Sequence, residues 1–189
     1  LSENLVFPDP SYAEDDGLLA IGGDLSEERL LLAYSNGIFP WYSENSPILW
    51  WSPDPRLILF PEDLKVSKSL MQKIKKETFT VDFDKNFHEV INQCSTVTRK
   101  EQGGTWITDE MMKAYIKLHK QGYAHSVESY ADGELVGGLY GVSLGRAFFG
   151  ESMFHLKTDA SKVALYYLVE KLKEWKFDFI DAHVKTDHL

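Results

Sequence analysis

Asp132-Gly133 stands between two runs of strand-forming residues, Ala124 to Tyr130 and Leu135 to Leu144. Such a dipeptide accepts the positive φ angles of a tight turn, so the two runs are expected to pair as a hairpin. A turn at Gly145 leads into a third strand, Ala147 to Phe154. The period then changes. From Ser161 to Lys176, the residues Leu165, Leu168, Val169, Leu172 and Trp175 recur at helical spacing, which predicts a helix with one apolar face. Phe177 to Val184 predicts a closing strand. Three meandering strands, a long helix and a further strand specify an α/β (α+β) fold, a mixed and largely antiparallel sheet with helices packed against it.

The upstream half is built differently. Residues 57–60 predict a short strand, 66–76 a helix, and Asp109 to Gln121 a helix with Met112, Tyr115, Ile116 and His119 on one face. Before these, turn formers dominate: Phe7-Pro8-Asp9-Pro10, Asp15-Asp16-Gly17 and Gly22-Gly23-Asp24. A helix follows, with Asp24 as its expected cap, Glu27 at the capping-box position, Leu30, Leu31 and Tyr34 as its stripe, and Gly37 as its stop. Pro53-Asp54-Pro55 predicts a rigid turn. Composition shifts near Arg56, so a small N-terminal α/β domain is expected over 1–56 and a larger domain over 57–189.

Charge follows the same division. Leu1 to Leu64 carries twelve acids against Arg29 and Arg56, whereas the remainder carries seventeen acids and eighteen bases. The net charge of -9 argues against nucleic acid, but binding depends on the local field, and the second half is nearly balanced. Apolar types make up 43%, ample for a packed core. One cysteine, Cys94, forms no internal disulfide and no multi-thiolate zinc site, which suits a reducing, cytoplasmic compartment. No uncharged apolar run approaches the ~18 residues of a membrane span. Neither a leader before Phe7 nor a membrane partner is therefore expected.

Several groups of residues carry chemistry. Asp181 and His183 are two apart in the closing strand, and strand alternation is expected to place them on one side. A carboxylate beside an imidazole orients it and holds its proton, the arrangement of a general base. Glu151, from a neighbouring strand, is expected to converge on the same place. Lys65, Lys68, Lys73, Lys75 and Lys76 form the strongest local basic field, suited either to a solvated helix face or to a phosphate backbone. Trp41, Trp50, Trp51 and Trp106 lie in or beside loops, where an indole either anchors structure or stacks on a base. Gly137-Gly138-Leu139-Tyr140-Gly141 falls inside a strand and reads as close packing or a bulge. The turn before the long helix, His155-Leu156-Lys157-Thr158-Asp159, has no glycine to cradle a pyrophosphate, so no acetyl-CoA is expected. The six histidines show no ligand spacing, and no metal is expected.

Seven ordered segments resemble one family. They are Gly17 to Leu25, Gly37-Ile38-Phe39-Pro40-Trp41, Trp50-Trp51-Ser52-Pro53-Asp54-Pro55-Arg56, Gly104 to Thr108, His125-Ser126-Val127-Glu128, Gly137 to Val142, and Gly150-Glu151-Ser152-Met153-Phe154. The family is that of the bacterial leucyl/phenylalanyl-tRNA–protein transferases. The resemblance implies a small N-terminal domain joined to a GNAT-like domain that uses aminoacyl-tRNA, without acetyl-CoA, ATP or metal. It implies transfer of Leu or Phe, and less well Met, from Leu-tRNA or Phe-tRNA to the N-terminal Arg or Lys of a protein, creating a degron of the N-end rule. By position it implies that Trp41 and Trp106 hold the terminal adenosine and that Leu139, Met153, Leu165 and Ile180 line the side-chain pocket. Asp181 acts in the family with a residue two further on, usually Gln, where this chain has His183. Relatives continue past Thr186-Asp187-His188-Leu189, so the domain is expected to be completed beyond it, in a monomeric enzyme. Two rival readings are a Fem-type peptide ligase that uses aminoacyl-tRNA and a non-catalytic module that binds RNA or protein N-termini.

Overall fold

The structure is a computed structural model that describes residues 1–96 and 107–183. Its elements run β1 (Leu18–Ile21), α1 (Glu27–Ser35), β2 (Phe39–Pro40), β3 (Leu49–Trp51), β4 (Ile58–Leu59), α2 (Lys68–Lys75), β5 (Thr80–Phe83), α3 (Phe87–Thr96), α4 (Asp109–Lys120), β6 (Ala124–Ala131), β7 (Glu134–Leu144), β8 (Ala147–His155), α5 (Ala160–Glu174) and β9 (Phe179–Asp181). A small sheet has the order β1-β3-β2, and a six-stranded sheet has the order β4-β9-β8-β7-β6-β5. Among the described strands of the larger sheet, only β8 and β9 are parallel. This is the expected mixed, largely antiparallel sheet: an antiparallel meander, the helix α5, and a strand laid parallel to the last of the meander.

Local chemistry explains the meander. Asp132 and Gly133 both have positive φ, 56° and 83°, and close the β6–β7 hairpin. A Cβ added at Gly137 would sit 2.5 Å from that of Ala160, so its absence lets the start of α5 lie against β7. Gly141 faces a register shift opposite β8, and a Cβ there would collide with the Phe149 carbonyl. The glycine-rich strand is thus a packing device, as its position predicts.

Apolar side chains fill both faces of the larger sheet. One face, with α1, α3, α4 and the small sheet, buries Tyr34, Trp50, Val90, Tyr115, Tyr140 and Phe149 in a single cluster. The other packs Val127, Leu139, Phe148 and Ile180 against Ala164, Leu168, Val169 and Leu172 of α5.

Three expectations need correction, and two elements were not expected. Ser26 caps α1, its hydroxyl accepting from the Arg29 N–H, while Asp24 accepts from the Ser26 N–H one step earlier. The buried stripe of α4 is Met111, Tyr115 and Leu118, one position removed from Met112 and Ile116, because the sheet meets the helix on that side. Trp175 leaves the apolar face of α5: it caps the helix and is 58% exposed under Lys171. Neither β5 nor α3 is anticipated above, although Phe87, Val90, Ile91 and Cys94 carry the helical spacing that marks α3.

Candidate active site

Asp181 is the last residue of β9, paired with Phe149 of β8 on one side and Ile58 of β4 on the other. Of the strand expected over Phe177–Val184, only Phe179–Asp181 is paired, and Val184 lies outside the described residues. The strand ends because the Asp181 carboxylate captures the backbone N–H two residues on. His183 N–H donates to Asp181 Oδ1 at 2.8 Å, and His183 adopts φ 62°. This is an Asx-type turn. Asp181 and His183 therefore meet as expected, but through a turn and not through strand alternation.

Glu151 arrives from β8 by a bulge. Along the β7–β8 ladder Tyr140 faces Ser152 and Gly141 faces Gly150, so Glu151 is the extra residue. A bulge re-aims a side chain, and here Glu151 Oε1 lies 3.0 Å from His183 Nε2. Tyr34 of α1 donates to Oε1 at 2.6 Å, and Tyr115 of α4 donates toward Oε2 at 3.2 Å, with the two hydroxyls in contact with each other. Burial, followed by the Glu151 charge, raises both phenols well above their ordinary value, so they act only as protonated donors.

Arg56 completes the cluster. Its Nε donates to both Asp181 oxygens, at 2.8 and 3.0 Å, and its Nη2 lies 3.4 Å from His183 Nδ1. Phe39 of β2 stacks on the His183 ring at 4.0 Å and 14°, with the Arg56 guanidinium 4.7 Å from its own centroid. Asp181, His183 and Glu151 are each less than a tenth exposed. Burial raises the Asp181 carboxyl, but the His183 imidazole and the Arg56 guanidinium overcome it and bring the pKa to about 2. Burial lowers the His183 pKa, and the charges and hydrogen bonds of Glu151 and Asp181 more than offset that, so the net direction is upward. A proton taken up by His183 is thus held between two carboxylates, at 3.0 Å and 3.5 Å. Once His183 is protonated, two cationic and two anionic side chains offset one another, which makes their joint burial tolerable.

The remaining expected residues divide clearly. Leu139, Met153, Leu165 and Ile180 do come together, in the apolar cluster beneath α5. That cluster lies on the sheet face opposite Asp181, because Ile180 and Phe148 point one way while Asp181 and Phe149 point the other. The two faces meet at a gap. β8 and β9 pair only across Ala147–Phe149 and Phe179–Asp181, and from Gly150 to His155 no described strand lies along that edge of β8. Beside Asp181, Tyr34, Gly37, Leu144, Ala147, Phe149 and Phe179 line a cleft of about 350 Å³.

Trp41 follows β2, packed on Trp51 at 5.6 Å, two residues from the Phe39 that covers His183. Trp106 lies outside the described residues. Trp50 is fully buried at the centre of the small sheet and donates to the Gly22 carbonyl at 2.9 Å, an anchor and not a stacking surface. Lys65, Lys68, Lys75 and Lys76 are exposed, whereas Lys73 is part-buried and its ammonium pairs with Asp159 at 2.7 Å. Among the described residues, no group of three or more His, Cys, Asp or Glu is arranged to hold a metal. No described helix is long and apolar enough to cross a membrane.

Three participants are absent from the sequence-based list: Arg56, Tyr34 and Tyr115. Arg56 stood in view as the end of the Trp-Trp-Ser-Pro-Asp-Pro-Arg string. The tyrosines read only as members of helix stripes, and nothing local distinguishes a tyrosine that packs from one that also donates.

Comparison with known proteins adds the family. Residues 58–189 match the profile described as leucyl/phenylalanyl-tRNA protein transferase, and residues 23–54 match the N-terminal domain of the same family. The chain is 62% identical to the leucyl/phenylalanyl-tRNA–protein transferase of Syntrophobacter fumaroxidans, covering 100% of this chain and 81% of that protein. It is 56% identical to the protein of the same name from Desulforapulum autotrophicum, over 100% of this chain and 82% of the other. The solved structure of L-PGS from Bacillus licheniformis is similar at a TM-score of 0.46 and 13% identity, covering 86% of this chain and 52% of that one, a likeness too weak to bear on function. The chain belongs to the leucyl/phenylalanyl-tRNA protein transferase family.

Proposed function

We propose that this protein transfers Leu or Phe, and less well Met, from aminoacyl-tRNA to the N-terminal Arg or Lys of acceptor proteins. The observation that carries the reading is the convergence of Asp181, His183 and Glu151 at the point where β8 and β9 part. A gap there suits an ester whose side chain enters the cluster of Leu139, Met153, Leu165 and Ile180 on one face, while an amine approaches Asp181 from the other. Trp41 and Trp106 are assigned to the terminal adenosine, and the exposed lysines of α2 to the tRNA backbone.

The chemistry asks little of the protein. An aminoacyl ester is already activated, so the reaction needs neither ATP nor acetyl-CoA nor a metal, only proximity and a proton acceptor. A free α-amino group has a pKa of about 7.7–8.0 and is largely ammonium at neutral pH. The cluster accepts one proton, the freed amine attacks the ester carbonyl, and the carbon–nitrogen bond forms as the bond to the ribose oxygen breaks. The second amine proton goes to that oxygen, and the first returns to solvent. An imidazole between carboxylates suits this transient storage, typically worth ~10²–10⁴-fold. An apolar pocket discriminates weakly between similar side chains, which accounts for some tolerance of Met. The product is a degron made in the cytoplasm by a monomeric enzyme.

The test is direct. Labelled Leu, Phe and Met on tRNA are offered to peptides that begin with Arg, Lys or Ala. Transfer of Leu and Phe to the Arg and Lys peptides is expected. Label that stays on tRNA under all conditions, with the tRNA still bound, would replace this reading by a binding module.

A further inference from the structure

The Trp50-Trp51-Ser52-Pro53-Asp54-Pro55-Arg56 string takes no part in the chemistry above, yet its last residue reaches the centre of the site. Trp50 and Trp51 fix the string to the small sheet through bonds to the carbonyls of Gly22 and Trp41. From that base Arg56 spans to a carboxylate 125 positions later in the chain. Its contacts come from three segments: both oxygens of Asp181 at the end of β9, Nδ1 of His183 in the following turn, and the ring of Phe39 in β2.

We propose that Arg56 is a positioning residue that keeps His183 able to take up a proton, by occupying Asp181 and by donating to the Nδ1 lone pair. The proposal rests on the reading of the site given above and adds to it a residue that meets no substrate. Nε2 of His183 lies 3.0 Å from Glu151, whereas Nδ1 lies 3.5 Å from Asp181 and 3.4 Å from Arg56 Nη2. The shorter carboxylate contact and the Arg56 donor together favour the neutral tautomer with hydrogen on Nε2 and the lone pair on Nδ1. The charged groups facing the imidazole are Asp181, Glu151 and Arg56, with the uncharged hydroxyls of Tyr34 and Tyr115 beyond Glu151. Without Arg56, two carboxylates share one imidazole and both favour its charged form. A permanent imidazolium accepts nothing and repels an incoming ammonium.

Arg56→Gln and Arg56→Lys are compared with the wild type in three measurements: kcat and KM for an Arg-initiated peptide across pH 6–9, thermal unfolding, and NMR titration of the His183 ring, identified by its loss in His183→Gln. Arg56→Gln is expected to lower kcat at neutral pH by about tenfold with little change in peptide KM. It is also expected to move the acidic limb of the kcat profile and the His183 titration upward together, by about one unit. Arg56→Lys recovers part of both, and adding Arg56→Gln to His183→Gln moves no limb. A His183 titration that Arg56→Gln leaves in place overturns the proposal, whether or not the enzyme is active. So does a loss of kcat that tracks unfolding and is not rescued by lysine. Should the wild type transfer nothing, the proposed reaction fails, and the NMR titration still decides the role of Arg56.

Discussion

Glu151 Oε1 lies 3.0 Å from His183 Nε2, and the two residues are brought together by a bulge in one strand and a turn at the end of its neighbour. The bulge turns Glu151 to the face where Tyr34 and Tyr115 wait, and the turn folds His183 back over Asp181. Four consequences are open to measurement.

Asp181 links the site to acid stability. Its native pKa of about 2 lies below the ordinary carboxylate value of 3.8, despite the opposing effect of burial. Stability from this group is therefore complete above the ordinary value and is lost as pH falls through about 2, and its size is on the order of 2 kcal/mol. His183 runs the other way: its raised pKa contributes below about 6.5 and fades as pH rises through the native value. Asp181→Asn is expected to unfold at lower urea than the wild type at pH 7, with the difference narrowing toward pH 3. Its transfer rate is expected to fall by about 10²-fold. Full turnover in this variant rules out a catalytic part for the carboxylate.

His183 stands where the family resemblance implies Gln. His183→Gln is expected to retain measurable transfer, since proximity supplies much of the rate, but to lose about 10²-fold in kcat with the proton acceptor. Its kcat profile should lose the ionisation that the imidazole contributes near neutrality. A profile identical to that of the wild type assigns that ionisation to another group.

Tyr34 and Tyr115 anchor Glu151. Replacing Tyr34 with Phe leaves a buried carboxylate short of a donor, at a cost of about 1–3 kcal/mol. Denaturant unfolding measures the loss, and Tyr34→Phe together with Glu151→Gln should cost less than the sum of the two single changes. Strict additivity would mean that the hydrogen bond contributes nothing.

The exposed face of α2 is assigned to the tRNA backbone. Lys68, Lys75 and Lys76 changed together to Glu are expected to raise the KM for charged tRNA severalfold and to flatten its dependence on salt. Lys73→Gln is the contrasting control: its ammonium is held by Asp159 at 2.7 Å, so the change costs at most about 1 kcal/mol of stability and leaves KM in place. Equal effects of the two variants on KM would reject the division of the lysines by exposure.

Much of this molecule is written locally. The Asp132-Gly133 turn, the glycine-rich β7 and the apolar spacing of α5 each depend on neighbours in the chain, and each appears where its residues predict. Asp181, His183 and Glu151 were also legible as candidates, because a carboxylate two residues from an imidazole in a strand pattern can form a general base, although the same residues equally suit a solvated strand end. Their actual geometry was not. Strand alternation puts Asp181 and His183 side by side, whereas the Asp181 carboxylate in fact ends the strand by taking the His183 N–H. Nor does any local rule place Arg56 against Asp181 or aim two helix tyrosines at Glu151. Turns, strand periods and the positions of helices follow from sequence because steric limits act within a few residues, whereas the face that α4 buries is set by the sheet it meets. The charge pattern of the site was left to tertiary structure, because burial and Coulomb forces act between groups that only the packed sheets bring within reach.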